Sequence, residues 1–195
     1  MSLTFDPVPH IYRWNGVIVP SVTQVLGGLY LFAGVPFDVL EAARERGSDV
    51  HAACQFYDEG DLDEDSLTDE VRPYLEAWKK FTRDCEPWWT HIEEPVYHPT
   101  LRYAGTPDRR GSFIYKGTRV SLAQGDIKTS AATHPCWGVQ TAAYNEAAHE
   151  RAARRFTIQL RPDKDYRLIE WLDPSDWPTF VSLVTLYYFK ERHRL

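Results

Sequence analysis

Apolar residues recur at intervals of three and four along several segments of the chain, which places them on one face of a predicted α-helix. The clearest case is the segment 71–84, where Tyr74, Leu75, Trp78 and Phe81 share a face. A short helix is predicted to open at Pro20-Ser21, and longer ones are predicted over residues 36–59, 137–150 and 176–192.

Short runs of β-branched and aromatic residues alternate with these helices. Asn15-Gly16 and Lys116-Gly117 are turn sequences between such runs, so each predicts a hairpin. Further extended segments are predicted over residues 92–97, 101–104, 154–161 and 166–171. Because helices and strands alternate without a dividing linker, the sequence predicts one α/β domain over residues 1–195, with a mixed central sheet flanked by helices.

Polar residues gather at the predicted ends of two neighbouring strands. Asp108 closes Gly105-Thr106-Pro107-Asp108, and Asp126 and Lys128 lie two positions apart in the next strand, on the same face. The hairpin at Lys116-Gly117 returns Asp126 toward Asp108. Carboxylates ligate hard cations, and an ammonium beside them can steady an attacking water or the charge that grows on phosphorus. The pattern therefore suits a divalent metal held against a phosphodiester.

Each of these patterns also has a simpler explanation. An isolated Asp-x-Lys is most often a surface strand with a salt bridge, because such short patterns occur freely. A lone helical histidine such as His51 is usually packed or capping. Glu93 and Glu94 precede a predicted strand; surface placement is expected for both, and contact with the site through water is the alternative.

The ordered set of motifs resembles a nuclease family. Gly-x-x-Asp at 105–108, Asp-x-Lys at 126–128 and Gln-x-x-x-Tyr at 140–144 look like motifs II, III and IV of the RecB-type branch of the PD-(D/E)XK nucleases. Arg46-Gly47 followed by His51 is similar to motif I of that branch. The segments 10–12 and 20–26 are similar to the start of phage-encoded exonucleases and of the mitochondrial genome maintenance exonuclease.

The resemblance implies a PD-(D/E)XK (restriction-endonuclease-like) core and a divalent-metal-dependent deoxyribonuclease. It assigns Asp108, Asp126 and Lys128 to catalysis, and His51, Asp108, Asp126 and the Ile127 carbonyl to Mg²⁺ or Mn²⁺. We therefore expect an exonuclease that acts from a free DNA end, favours single strands and serves phage or bacterial recombination or repair. A non-cutting subunit that binds DNA ends and a structure-selective endonuclease stay open, as does a recombination or replication protein as partner.

The charge distribution bears on the DNA partner. The net charge of −6 opposes DNA binding, since phosphate contacts dominate affinity. An acidic block over residues 58–70 is expected to be a solvated loop. A basic groove near the site is expected from the arginines of the second half, which are Arg109, Arg110, Arg119, Arg151, Arg154, Arg155, Arg161 and Arg167. On the predicted helix, four residues are expected to face the DNA: Gln140 and Tyr144, extended by Arg151 and Arg155 as i+4 neighbours.

Composition limits location and cofactors. The chain has seven Trp and eleven Tyr, of which some are expected in the core and others could stack on unpaired bases. Trp14, Tyr30, Trp88 and Trp89 are the candidate platforms, although packing is the expectation for each. No apolar run reaches the roughly 18 residues of a membrane span, and no signal peptide is visible, so we expect a cytoplasmic protein with no membrane partner. Three scattered cysteines suit reduced thiols, and no iron–sulfur cluster is expected because such clusters normally need four thiolates.

Overall fold

A computed structural model describes residues 2–29, 34–152 and 154–195. Within these ranges the strands are β1 (Leu3–Asp6), β2 (Ile11–Trp14), β3 (Val17–Val19), β4 (Trp88–Ile92), β5 (Val96–His98), β6 (Tyr103–Gly105), β7 (Arg109–Tyr115), β8 (Thr118–Lys128), β9 (Arg154–Leu160) and β10 (Tyr166–Glu170). The α-helices of the same ranges are α1 (Val22–Leu26), α2 (Phe37–Glu59), α3 (Arg72–Cys85), α4 (Cys136–Ala147) and α5 (Asp176–His193).

The central sheet has the strand order β10-β9-β8-β7-β4. Strands β8 and β9 are parallel, because the chain between them crosses over through α4, and the other neighbours are antiparallel. The predicted mixed central sheet is confirmed. Two smaller sheets adjoin it: β1, β2 and β3 form an antiparallel meander, and β5 pairs with β6.

Helices cover both faces of the central sheet. On one face α3 packs against β7, β9 and β10, and its apolar stripe puts Leu75, Trp78 and Phe81 in a core shared with Phe113 and Phe156. On the other face α4 packs against β8 and β9, and α5 packs outside α4. The apolar periodicity in the sequence is thus confirmed as the buried side of α3. No helix within the described ranges is both long and apolar enough to span a membrane.

Two predicted boundaries are wrong. The segment 92–97 is not one strand, because β4 ends at Ile92 and β5 begins at Val96. Between them Glu93 has a left-handed φ of 49°, which interrupts the extended backbone. The helix predicted over 137–150 ends at Ala147, where Ala148 turns to extended backbone. The first hairpin also gains β1, a strand that sequence analysis missed.

Candidate metal centre

A histidine and two carboxylates meet at one edge of the central sheet. His51 comes from α2, Asp108 directly precedes β7, and Glu93 directly follows β4. Antiparallel pairing of β4 with β7 brings the last two together, and the Glu93 amide donates to the Asp108 carbonyl at 3.0 Å. Nδ1 of His51 lies 3.6 Å from Asp108 Oδ1 and 3.7 Å from Glu93 Oε1. All three ligand atoms lie within 4.8 Å of one another, so the three residues can hold a metal ion.

Strand β8 brings Asp126, Ile127 and Lys128 to the same place. Its pairing with β7 sets Arg109 opposite Gly125, so Asp108 and Asp126 meet as the hairpin logic predicted. The Ile127 amide donates to Asp108 Oδ2 at 2.5 Å. The Ile127 carbonyl oxygen lies 3.1 Å from Nε2 of His51. With the proton on Nε2, the ring donates to that carbonyl and turns the Nδ1 lone pair toward the carboxylates.

Asp126 is the most telling group, because it is buried without full hydrogen bonding. The residue is 1% exposed, and neither carboxylate oxygen has a hydrogen-bond partner among the described residues. The Lys128 ammonium approaches Oδ2 at 2.7 Å as an ion pair. Burial, reinforced by Asp108 and opposed by Lys128, raises the pKa of Asp126 to about 6. A buried carboxylate lacking such partners is costly unless a cation completes it.

The neighbouring carboxylates raise the pKa values of His51 and Lys128. Burial lowers the pKa of His51, yet Asp108 and Glu93 outweigh it and leave that pKa raised. Burial likewise opposes the charge on Lys128, while Asp126 and Asp108 raise its pKa. Lys128 therefore stays an ammonium at neutral pH, and the field around the carboxylates attracts a further cation.

The donor set fits a hard divalent ion. Neighbouring ligand atoms around an octahedral Mg²⁺ lie about 3 Å apart. The distances from His51 Nδ1 to the carboxylate oxygens of Asp108 and Glu93, 3.6 and 3.7 Å, are only slightly longer. Carboxylate and carbonyl oxygens with one imidazole suit Mg²⁺ or Mn²⁺. The three cysteines Cys54, Cys85 and Cys136 are buried on different helices and are free thiols.

Gln140 and Tyr144 share one face of α4, as their spacing predicted. The Gln140 amide donates to the Tyr144 hydroxyl at 3.0 Å. Both line a cleft of about 250 Å³ together with His51, Asp108 and Lys128. Burial raises the pKa of Tyr144 well above its usual range, and the nearby Asp126 and Asp108 add to the shift, so the phenol stays protonated.

The cleft has a neutral wall that sequence analysis did not anticipate. Tyr12 on β2 shares a 2.8 Å hydrogen bond with Thr106, and Ser21 shares one of 2.9 Å with Thr23. Ser21 also caps α1 by accepting from the Gln24 amide, which explains its position at the helix entry. Hydroxyl groups can orient a phosphate or sugar without adding charge.

Gly105 lets the backbone before Asp108 pass close to α4. A Cβ at this position would lie 2.5 Å from Tyr144 Cε1 and 3.0 Å from Val22 Cγ2. We expect Gly105→Ala to lower the free energy of unfolding by about 1–3 kcal/mol, because the buried ring must move. Urea unfolding measures this. Gly28→Ala is the matched control, since its Cβ meets only Leu183 at an ordinary 3.8 Å. Equal stability of the two variants would show that the Tyr144 ring yields freely.

Arg151 and Arg155 do not lie where the sequence placed them. Because α4 ends at Ala147, neither extends the face of Gln140 and Tyr144. Arg151 pairs with Glu146 at 2.6 Å beyond the helix end. Arg155 lies on β9 and donates to the Gly138 carbonyl at 2.8 Å and to Asp176 at 3.0 Å. It braces α4 against α5, so its replacement would disturb packing.

The expected basic groove does not form from the second-half arginines. Arg109 is fully buried, and carboxylates pair with several of the others at the surface, namely Arg119, Arg151, Arg154 and Arg161. The Arg110 side chain donates to the Glu150 carbonyl. The arginines that are clustered in the second half of the sequence thus form separate ion pairs in the structure, because an acidic side chain lies beside each of those four.

Sequence analysis favours the surface for Glu93, with contact to the site through water as the alternative. The structure places its carboxylate in the cluster with His51 and Asp108. Arg109 holds it from behind, donating to Glu93 Oε1 at 3.0 Å and to Asp58 Oδ2 at 2.8 Å. Trp78 fixes the same Asp58 at 2.9 Å. The sequence signal that could have identified Glu93 is its position at the end of β4, because β4 pairs with β7, the strand that Asp108 precedes.

Three of the aromatic platforms proposed from sequence lie within the described ranges. Trp14 stacks on Tyr97 with ring centroids 4.2 Å apart. Trp89 packs among Trp78 and Phe81 in the core, so it is not a platform. Trp88 is 72% exposed and free to stack. Tyr30 lies outside the described residues.

Comparisons with known proteins give distant likenesses of structure. The sequence matches no protein-family model and no curated protein sequence. The crystal structure of a "Putative exonuclease" from Eubacterium rectale resembles 72% of this chain at 10% identity with a TM-score of 0.46, and the match spans 64% of that protein, under two thirds of its length. The crystal structure of a protein named SSO0001 is also similar, with a TM-score of 0.36 and 15% identity. The match covers 71% of this chain and 71% of that protein. Likenesses at this level identify neither family nor reaction, so the function is argued below from the site.

Proposed function

We propose that this chain is a divalent-metal-dependent deoxyribonuclease with a PD-(D/E)XK core of the RecB-type branch. The observation that carries the proposal is the meeting of Asp108, Asp126, His51 and Lys128 around the Ile127 peptide group. His51 comes from α2, Asp108 directly precedes β7, and Asp126 and Lys128 lie on β8, so three separate parts of the chain supply the ordered motifs. A surface Asp-x-Lys salt bridge would be exposed, whereas Asp126 is 1% exposed.

Each residue then has a distinct role. Asp108, Asp126, His51 and the Ile127 carbonyl would hold Mg²⁺ or Mn²⁺, and Glu93, whose carboxylate clusters with His51 and Asp108, would be a further ligand. When bound, such an ion supplies a polarised water and neutralises charge on a phosphodiester. Lys128 would orient the attacking water or stabilise the pentacovalent phosphorus, since it stays cationic beside Asp126. Gln140 and Tyr144 would position Lys128 or contact the DNA backbone from the cleft.

The proposed substrate is DNA with a free end, preferably single-stranded. An acidic chain gains little from duplex phosphates alone, whereas stacking adds affinity only when bases are unpaired. The exposed indole of Trp88 suits such stacking. The setting that we propose, from the sequence resemblance, is phage or bacterial recombination or repair in the cytoplasm.

Digestion of end-labelled DNA tests the proposal. With Mg²⁺ or Mn²⁺, linear single-stranded DNA should be consumed while closed circular single-stranded DNA of the same sequence survives, because an end is required. EDTA should stop the reaction, since the carboxylates act only through the ion. Rapid cutting of the circle would indicate an endonuclease, and binding of linear DNA without cutting would indicate a non-cutting subunit that binds ends.

A further inference from the structure

A second cavity opens beside the candidate metal centre, between α2, α4 and the segment that follows β8. This groove has a volume of about 730 Å³. Leu26, Leu40, Ala132 and Trp137 give it apolar walls. It shares Thr23, His51, Lys128 and Gln140 with the smaller cleft, so these residues separate two spaces that meet at the reacting centre.

The lining of the groove contains no acidic residue among the described part of the chain. This is unusual here, because the chain has 28 acidic residues and the other cavities of about 240–490 Å³ all include at least one. Arg44, His134 and Lys128 lie on the groove instead. Arg44 is largely exposed and only loosely paired, with Glu41 at 3.5 Å. The groove thus combines apolar walls with the cationic side chains of Arg44 and Lys128.

We propose that the groove receives the base and sugar of the nucleotide next to the scissile phosphate. This inference rests on the proposed nuclease function and names the part of the substrate that the site selects. An unpaired nucleotide matches the lining in two respects: its base is flat and largely apolar on its faces, and its phosphates are anionic. The volume falls within the range of about 300–1,000 Å³ that small-molecule sites occupy.

The groove also explains how an acidic protein can select single strands. A base can enter an apolar recess only after it has left its pair and its stack. Unpaired termini meet that condition at little cost, while a duplex end must first open. Selection then comes from the recess itself and does not require a long basic surface.

Gly47 offers a way to fill the groove without breaking the fold. It lies within α2, lines the groove, and a Cβ there would meet only Thr129 Oγ1 at 4.0 Å. Leucine is a better helix former than glycine, so Gly47→Leu should fold at least as stably. Ser48→Leu is the matched control, because it adds the same side chain one residue along on an exposed position outside the lining.

The test compares two linear single-stranded oligonucleotides that differ only at the end: one intact, the other carrying abasic tetrahydrofuran residues at its terminal positions. Wild type and Ser48→Leu should favour the intact strand by about tenfold or more in kcat/KM. Gly47→Leu should lose that preference. Equal cutting of both strands by wild type, or a preference that survives in Gly47→Leu, would overturn the groove while leaving the nuclease proposal intact.

Charge gives an independent readout at Ala132, an exposed lining residue. Ala132→Glu should weaken binding of the intact oligonucleotide severalfold and Ala132→Lys should not, measured by fluorescence anisotropy with Ca²⁺ in place of the reactive ion. Identical binding by the two variants would contradict the proposal. If wild type cuts nothing, the nuclease proposal fails, and the binding preference for intact over abasic strand still decides whether the groove holds a base.

Discussion

Asp126→Asn should abolish metal-dependent DNA cleavage, lowering its rate by about 10³-fold or more, because several kcal/mol of charge stabilisation is lost with the ion. The amide keeps the shape of the side chain but supplies only one neutral oxygen. The carboxylate it replaces is buried, with no hydrogen-bond partner for either oxygen among the described residues. The variant therefore removes the charge that an ion would need, together with the counter-ion of Lys128, and keeps the shape of the side chain.

Thermal unfolding separates this effect from simple damage. Mn²⁺ should raise the melting temperature of the wild type, since an ion that binds only the folded state stabilises it by mass action. Asp126→Asn should lose that rise. Without metal its melting temperature should equal or fall below that of the wild type, because the variant leaves the Lys128 ammonium without its buried counter-ion. Asp61→Asn, an exposed acid in the acidic block, is the control and should keep the rise. A full metal response in Asp126→Asn would exclude Asp126 from the ligand set.

The parts of the site that could be predicted are those set by local rules. Lys116-Gly117 fixes a hairpin that returns Asp126 toward Asp108, and a β-bulge between Gly111 and Phe113 sets the final register. The two-residue period of β8 puts Asp126 and Lys128 on one face, where their side chains meet at 2.7 Å. The four-residue spacing of Gln140 and Tyr144 likewise gives their hydrogen bond. Periodicity and turn chemistry suffice for such pairs.

The parts that could not be predicted depend on contacts between distant segments. Glu93 joins the site because its left-handed backbone ends β4 there and Arg109 fixes the carboxylate. Arg155 looks like an exposed base in the sequence, but Asp176 lies beside it only after α5 folds onto α4. The end of α4 at Ala147 is not marked by glycine or proline, so the helix appeared longer than it is. Long-range packing decides such cases, and single-sequence patterns do not contain it.

Lys128→Met should lower the rate of DNA cleavage by about 10²–10³-fold while metal binding persists. Methionine keeps much of the length and apolar stem of lysine but has no ammonium. That ammonium is the cation closest to Asp126 in the site and remains charged despite its burial. Its preorganised position is what a water nucleophile or a developing phosphorane charge would use, because the group need not reorganise during the reaction.

If Lys128 acts in the chemical step and not in metal binding, Lys128→Met should change the cleavage rate but not the response of the melting temperature to Mn²⁺. Single-turnover cleavage of linear single-stranded DNA should slow, whereas the rise in melting temperature with Mn²⁺ should remain, since the carboxylates and His51 stay in place. Lys128→Arg should not restore the rate, because a planar guanidinium cannot take the position of a compact ammonium against Asp126. Lys116→Met, at the exposed hairpin turn, should cut at the wild-type rate. Cleavage by Lys128→Met at the wild-type rate would reduce Lys128 to a counter-ion of Asp126, and the attacking water would need another partner.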